Sequence, residues 1–281
     1  ALDDRVRAVV PVHFAGQACE MDAIERLVRD RCPRATIIED ACHAIGGTYR
    51  DGTPNGSPRY ASMVVFSFHP VKHIAAGEGG AVTTSSRQLK EQLEQFRCHG
   101  MTKDPEQLRR PDEGPWYYEM HSPGFNYRIP EAACALASSQ LAKLQQSVAQ
   151  RRKIVAKYHD ELGGIEHLSL PPRSHLKTSA WHLFCLHIDY PALGRSRTDV
   201  MASLKDRGVG TQVHYYPVSL QPYYQDRYRH TEAQFPGAVS HYRRELSIPL
   251  FPSMTAAEVE QVVSAVRHVL TSKSNVKRQV A

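Results

Sequence analysis

The six cysteines of the sequence stand singly, and no two of them form a Cys-x-x-Cys pair. A zinc ribbon needs such pairs, and a disulfide framework is typical of much shorter secreted chains, so both classes are disfavoured. Isolated thiols in a chain of 281 residues instead favour a reduced protein of the cytoplasm. The cysteines are Cys19, Cys32, Cys42, Cys98, Cys134 and Cys185.

Long apolar runs are also missing. No stretch approaches the roughly 20 apolar residues of a membrane-spanning helix, and the N-terminus "ALDDRVRAVV" lacks the form of a signal peptide. We therefore expect no association with a membrane. The chain also has no initiator methionine and enters an apolar strand almost at once, so we expect a fragment of a longer protein.

Charge of one sign is not concentrated in any one region of the chain. The net charge is +6, but lysines and arginines are scattered, and the densest basic run, Lys273 to Arg278, lies in a polar C-terminal tail. Nucleic acid is therefore not the expected partner. A modest positive charge suits a phosphorylated small molecule equally well. The composition, with 41% hydrophobic residues, is that of a globular protein.

The first half of the chain has the pattern of a parallel sheet. Two short β-branched runs, "RAVVPVHF" and "ATIIED", flank "CEMDAIERLVRDRC", whose apolar residues have helical spacing. Strand, helix and strand of these lengths predict a βαβ unit. Further strands are predicted at "MVVFSF" and "GAVTTS", then a helix from Ser86 to Arg97 and an ordered excursion over residues 98–128.

The second half predicts a connecting helix and a smaller α+β domain. One long helix should begin near Pro130 and end at Leu162, before two glycines. After it, "WHLFCLHI" and "VGTQVHYYPV" are predicted strands, and "SRTDVMASLKDRG" and "TAAEVEQVVSAVRHVL" are predicted helices with capping boxes. The predicted domains are residues 1–130, a connecting helix over 131–163, a small domain over 164–272 and a polar tail over 273–281.

One lysine and one aspartate follow neighbouring predicted strands. Asp40 ends "TIIED" and Lys72 lies just past "MVVFSF", so both should face one crevice, together with Ser67. Pyridoxal phosphate needs such a pair, because the lysine forms the Schiff base and the carboxylate keeps the pyridine nitrogen protonated. An ion pair at the sheet edge and a solvated loop lysine are the alternatives.

Two other chemistries are less well supported around Lys72. His69 and His73 have the spacing of a helical metal pair, but Pro70 between them disfavours a helix and no third ligand is placed. We therefore expect no metal. Ser67 lacks the flanking glycines of a hydrolase nucleophile.

Several phrases of the sequence, taken in order, resemble one known family. They are "EDACHAIGG", "FSFHPVKHIAAGEGGAVTT", "RCHGM", "GFNYRIPEAACALASSQLAKL", "WHLF" and "VHYYPV". Together they resemble the DegT/StrS family of nucleotide-sugar aminotransferases, and "FSFHPVKHI" and "HYYPVSLQPYY" are most similar to its pseudaminic acid branch. The resemblance implies a fold-type I α/β large domain, truncated at its N-terminus, followed by a small α+β domain.

The resemblance also implies roles for individual residues. Lys72 would form the Schiff base, Asp40 would pair with the pyridine nitrogen, and His43 would lie against the cofactor ring. Ser67 would hold the cofactor phosphate, and Asn126 would reach the phosphate of the neighbouring subunit in a homodimer with shared active sites. The residues expected to contact the substrate are Arg128, His214 and Tyr215.

The activity implied is pyridoxal phosphate-dependent transfer of an amino group, from glutamate, to a UDP-linked 4-keto-6-deoxy sugar. A deoxysugar dehydratase of the same family is one alternative, but those relatives carry histidine in place of Lys72. A truncated, non-catalytic binding protein is the other.

Two departures from the family matter: Ala75 and Ala76 replace the usual threonines, and a phosphate-binding helix N-terminus would lie upstream of this chain.

Overall fold

The computed structural model describes residues 2–272 and consists of two compact units, Ala1–Gln145 and Gln146–Ala281. The predicted polar tail, 273–281, lies outside the described residues. Within them, no helix is both long enough and apolar enough to cross a membrane.

A four-stranded sheet organises the described part of the first unit. Its strands lie in the order β1 (Ala8–Val9), β2 (Thr36–Asp40), β3 (Met63–Ser67) and β4 (Gly80–Thr83). The first three are mutually parallel, and β4 pairs antiparallel with β3. Helix α1 (Met21–Arg31) connects β1 to β2, which confirms the predicted βαβ unit.

Helix α1 is amphipathic and covers one face of this sheet. Met21 and Val28 on its apolar side are buried in a cluster with Ile37 and Tyr49. Its outer side is polar and carries ion pairs one turn apart, such as Asp22 with Arg26 at 3.2 Å. Such exposed pairs contribute little, so burial of the apolar stripe is what fixes the helix.

Helix α2 (Arg87–Arg97) begins as the sequence predicts. The side-chain oxygen of Ser86 accepts a hydrogen bond from the Leu89 N–H at 3.2 Å, which caps the first turn. The predicted excursion after this helix is ordered by a short antiparallel pair, β5 (Met101–Thr102) and β6 (Glu119–Met120).

The single long helix predicted over 131–163 is wrong, because the structure has two helices there. Helix α3 (Glu131–Leu141) ends before α4 (Leu144–Leu162) begins. Between them the Lys143 N–H donates to the Gln140 carbonyl at 3.0 Å. This bond spans three residues, as in a 3-10 turn, instead of the four of an α-helix. No glycine or proline marks this turn, so the sequence pattern continues through it. The boundary between the two units falls at the start of α4. The role of these residues as a domain connection stays a prediction.

The second unit has an antiparallel sheet covered by helices. Its strands are β7 (Leu168–Ser169), β8 (Phe184–Ile188) and β9 (Glu245–Ile248), with β8 in the centre. The apolar sides of α4, β8 and β9 share one core with α6 (Arg197–Lys205) and α9 (Ala256–Thr271). Both predicted capping boxes, at Ser196 and Thr255, are confirmed. The shorter helices are α5 (Tyr190–Leu193), α7 (Pro222–Tyr228) and α8 (Pro236–Arg244).

The strand predicted at "VGTQVHYYPV" is absent from the described structure. Only Gln212 pairs there, through an isolated bridge to Ser247 on β9. Two residues later the His214 N–H donates to a carboxylate oxygen of Glu245 at 2.8 Å. The side chain of Glu245 thus replaces a backbone carbonyl as the acceptor, and the strand pairing with β9 ends after Gln212.

A buried arginine holds α4 to the sheet of the second unit. Arg151 is 6% exposed, and its Nη1 donates to the carbonyl oxygens of Trp181, His182 and Leu250 at 3.2, 3.2 and 2.7 Å. Burial lowers the pKa of Arg151 to about 10, which still leaves it charged at neutral pH. Its three acceptors belong to segments that are distant in sequence.

We expect Arg151→Met to lower the free energy of unfolding by about 3 kcal/mol, because buried carbonyl groups lose their donor. Urea unfolding followed by circular dichroism measures the change. The matched control is Lys153→Met on the exposed side of the same helix, which should change the unfolding free energy by less than about 0.5 kcal/mol. Equal effects of the two substitutions would contradict the prediction.

Candidate active site

The site begins where two parallel strands end side by side. In the register of β2 and β3, Asp40 lies opposite Val65, and Ser67 is the last residue of β3. Both side chains therefore lie at the carboxyl edge of the sheet, where ligands bind in open parallel sheets. The register places Asp40 and Ser67 at one edge, and the expectation that they line one crevice with Lys72 stays a prediction.

Lys72 lies in the turn that joins β3 to β4. This turn is closed by two backbone bonds, from the Phe68 N–H to the Gly79 carbonyl at 2.8 Å and from the Ala76 N–H to the Phe68 carbonyl at 2.9 Å. The glycines after it are required, since Gly79 has a φ of 144° and a Cβ at Gly80 would lie 2.5 Å from the Phe66 carbonyl oxygen. This closed turn holds Lys72 within electrostatic reach of Asp40.

Lys72, Asp40 and Cys42 interact electrostatically at this edge of the sheet. Burial lowers the pKa of the half-buried Lys72, and the interactions with Cys42 and then Asp40 oppose that shift only in part. Asp40 Oδ1 also accepts the Cys42 N–H at 3.0 Å. Burial, and then Asp40, raise the pKa of the Cys42 thiol to about 12, so the thiol is neutral near pH 7. Lys72, Asp40 and Cys42 therefore form one interacting cluster in which the thiol is neutral.

Two further predicted site residues are held by local hydrogen bonds. Nδ1 of His43 accepts the Ala15 N–H at 3.3 Å, and the His43 ring lies 6.0 Å from that of Phe14. The hydroxyl oxygen of Ser67 accepts the His69 N–H at 3.3 Å, in the turn that carries the lysine.

Asn126 and Arg128 lie on another segment of the first unit. Asn126 is exposed and forms an isolated antiparallel β-bridge with Cys98. The exposed Arg128 donates from Nη1 to the sulfur of Cys98 at 3.2 Å. Their contacts among the described residues go to the end of α2, not to Asp40, Ser67 or Lys72. The role of Asn126 in a neighbouring subunit therefore stays a prediction.

His214 and Tyr215 belong to the second unit. Nδ1 of His214 donates to the hydroxyl oxygen of Ser247 at 2.8 Å, because that hydroxyl itself donates to the buried carboxylate of Glu245 at 2.6 Å. Tyr215 is 70% exposed. These contacts fix the His214 ring within its own unit, and the expected contacts with substrate stay predictions.

The sequence analysis missed a buried polar group behind the site. His13 and Glu39 are fully buried, with Nε2 of His13 2.6 Å from Oε2 of Glu39, and the Tyr49 hydroxyl donates to the same oxygen at 2.8 Å. The available signal was the period of two along "TIIED", which places Glu39 on the opposite face of the strand from Asp40.

The residues present suit pyridoxal phosphate better than a metal. Among residues 2–272, no cluster of three or more His, Cys, Asp or Glu side chains could hold a metal ion. The same edge of the sheet instead carries an amine whose pKa is lowered, a carboxylate within its electrostatic reach and a hydroxyl group. An aldehyde cofactor with a pyridine nitrogen and a phosphate needs these three groups.

Comparison with known proteins agrees with this geometry. Residues 1–267 match the DegT/DnrJ/EryC1/StrS aminotransferase family. The chain is 36% identical over 271 residues to the spore coat polysaccharide biosynthesis protein SpsC of Bacillus subtilis, covering 96% of this chain and 68% of SpsC.

Solved structures of aminotransferases are also similar to this chain. Helicobacter pylori PseC, an aminotransferase involved in the biosynthesis of pseudaminic acid, superposes with a TM-score of 0.86 at 26% identity, over 96% of this chain and 68% of PseC. DesV of S. venezuelae, solved in complex with a ketimine intermediate, gives a TM-score of 0.81 at 30% identity, over 96% of this chain and 67% of DesV.

These likenesses confirm the predicted fold-type I α/β class. They also confirm pyridoxal phosphate as the cofactor, on which aminotransferases of this family depend. The family and the likenesses to PseC and DesV support transfer of an amino group to a sugar as the activity. The chain belongs to the DegT/DnrJ/EryC1/StrS aminotransferase family.

Proposed function

We propose that Lys72 binds pyridoxal phosphate covalently and transfers protons during amino-group transfer to a sugar. One observation carries the proposal: the Lys72 amine lies within electrostatic reach of Asp40, which ends β2 at the carboxyl edge of the sheet, and burial lowers the pKa of this amine. A lowered pKa increases the neutral fraction of the amine, and only the neutral amine can attack an aldehyde or accept a proton.

The other predicted side chains would hold the cofactor. Asp40 would keep the pyridine nitrogen protonated, His43 would lie against the ring and Ser67 would bind the phosphate. Bound there, pyridoxal phosphate would act as an electron sink for the carbon that carries the amino group. The proton leaving that carbon would pass to Nζ of Lys72, which would later return it.

We further propose a nucleotide-linked substrate. The protein would act as the UDP-4-amino-4,6-dideoxy-N-acetyl-β-L-altrosamine transaminase, with glutamate as donor. The likeness to PseC, an aminotransferase involved in the biosynthesis of pseudaminic acid, supports the pathway. The net charge of +6 would attract a nucleoside diphosphate. Arg128, His214 and Tyr215 are the side chains proposed to contact the sugar or its phosphates.

The protein would act as a cytoplasmic homodimer. Asn126 lies on an exposed segment that carries stacked aromatic rings, Phe125 and Tyr127, with centroids 4.7 Å apart. An exposed aromatic patch of this kind is typical of protein interfaces. All six cysteines are free thiols, which supports a reducing compartment.

Lys72→Ala should abolish transamination of a UDP-linked 4-keto-6-deoxy sugar by glutamate. We expect a loss of about a thousandfold or more, since covalent attachment and proton transfer both disappear. Product formation by mass spectrometry measures it. The control Lys90→Ala removes an exposed lysine on α2 and should leave turnover near wild type. Turnover of the Lys72→Ala variant at the wild-type rate would refute the assignment.

The amine of Lys72 should titrate at a lower pH than a free lysine side chain in cofactor-free protein. Burial disfavours its charged form, so its reactivity toward acetic anhydride should reach half-maximum at a lower pH than that of Nα-acetyllysine added to the same sample. Peptide mass spectrometry across a pH series measures each lysine separately. An equal or higher midpoint for Lys72 would contradict the lowered pKa.

Two inactive variants should complement each other if the active sites are shared. Mixing Lys72→Ala with Asn126→Ala subunits should restore about a quarter of wild-type activity, because half the dimers are mixed and each has one intact site. Asn126→Ala alone should weaken cofactor binding. Mixed dimers verified by native mass spectrometry that remain inactive would count against a shared site.

A further inference from the structure

The buried pair His13 and Glu39 has no part in the chemistry described above. Both side chains are 0% exposed, and Oε2 of Glu39 accepts hydrogen bonds from His13 and Tyr49. Its second oxygen, Oε1, has no hydrogen-bond partner among residues 2–272. A buried carboxylate with an unpaired oxygen is costly, so packing alone does not account for it.

His13 joins this carboxylate to the backbone of the active-site edge. Nδ1 of His13 accepts the Cys19 N–H at 3.2 Å, so the ring proton lies on Nε2 and is donated to Glu39. The main-chain N–H of His13 donates to the carbonyl of Asp40 at 2.9 Å. One residue thus closes the segment of residues 13–19, here named the His13 loop, and ties it to the end of β2.

The His13 loop reaches the proposed cofactor site through Ala15. The Ala15 N–H donates to Nδ1 of His43, and Ala15 has a φ of 57°, in the left-handed region that disfavours residues with a Cβ. Gly16 continues this conformation with a φ of 97°. A backbone in an unfavourable conformation persists only where surrounding contacts hold it, and His13 supplies a contact at each end of the loop, through its main-chain N–H and its Nδ1.

We propose that the His13–Glu39 pair positions His43 and Asp40 toward the cofactor ring by closing the His13 loop. This inference rests on the proposed function, because it assumes that His43 and Asp40 face pyridoxal phosphate. His13 and Glu39 are positioning residues. They touch no reacting atom and act through the Ala15 N–H and the Asp40 carbonyl.

His13→Gln tests the loop closure. The glutamine amide can place a donor near the position of Nε2 and retain the bond to Glu39, but it offers no acceptor at the position of Nδ1. We expect the pyridoxal phosphate dissociation constant to rise about tenfold, as for the loss of one hydrogen bond. The pH at which the absorbance of the bound cofactor changes should also shift, since Asp40 and His43 set it.

Tyr49→Phe is the matched control. It removes one donor from Glu39 and leaves both bonds of the His13 ring in place. It should lower the unfolding midpoint while leaving the cofactor dissociation constant within about twofold of wild type. Equal loss of affinity in both variants, or wild-type affinity and titration in His13→Gln, would overturn the proposal.

Hydrogen exchange on the wild-type protein gives a second test that no folding defect can obscure. Saturating pyridoxal phosphate should slow exchange of the Ala15 and Cys19 amides, because coupling between loop and cofactor is reciprocal. Unchanged exchange at both amides would overturn the proposal. Failure of the wild-type protein to bind pyridoxal phosphate would instead refute the proposed function, and the two outcomes are distinguishable.

Discussion

The parallel pairing of β2 with β3 is the constraint on which the site depends. Because the two strands run in one direction, Asp40 and Ser67 emerge at the same edge, and the following turn holds Lys72 within electrostatic reach of Asp40. The pairing is stabilised by burial of alternate residues on both strands. A slip of one residue would place Glu39 at the site and move Asp40 to the opposite, buried face.

Each unit contains a fully buried glutamate, Glu39 in the first and Glu245 in the second. In the first unit Glu39 accepts bonds from His13 and Tyr49, and in the second Glu245 accepts from His214 and Ser247. In both cases the carboxylate holds an irregular segment at the end or edge of a sheet. Backbone that joins no ladder still needs acceptors, and these side chains supply them.

Much of this architecture could be predicted from local sequence patterns. The β-branched run "ATIIED" and the helical period before it identified β2 and α1, and the capping residues Ser196 and Thr255 marked helix starts. The turn between α3 and α4 carries no glycine or proline, so no local pattern predicts it. The residues "VGTQVHYYPV" do not form the predicted strand, because the His214 N–H donates to Glu245, which is distant in sequence. The His13–Glu39 pair was not predicted for the same reason, since the two residues come together only in the folded chain.

The state of the Cys42 thiol has a chemical consequence for the aldehyde proposed to bind beside it. A thiolate would add to such a carbonyl group as readily as an amine does, and it would also be open to alkylation and oxidation. With its pKa raised to about 12, the Cys42 sulfur is almost entirely protonated at neutral pH. Burial and the neighbouring Asp40 thus suppress the thiolate of Cys42, while burial favours the neutral amine of Lys72, so the cluster favours nitrogen over sulfur as the nucleophile.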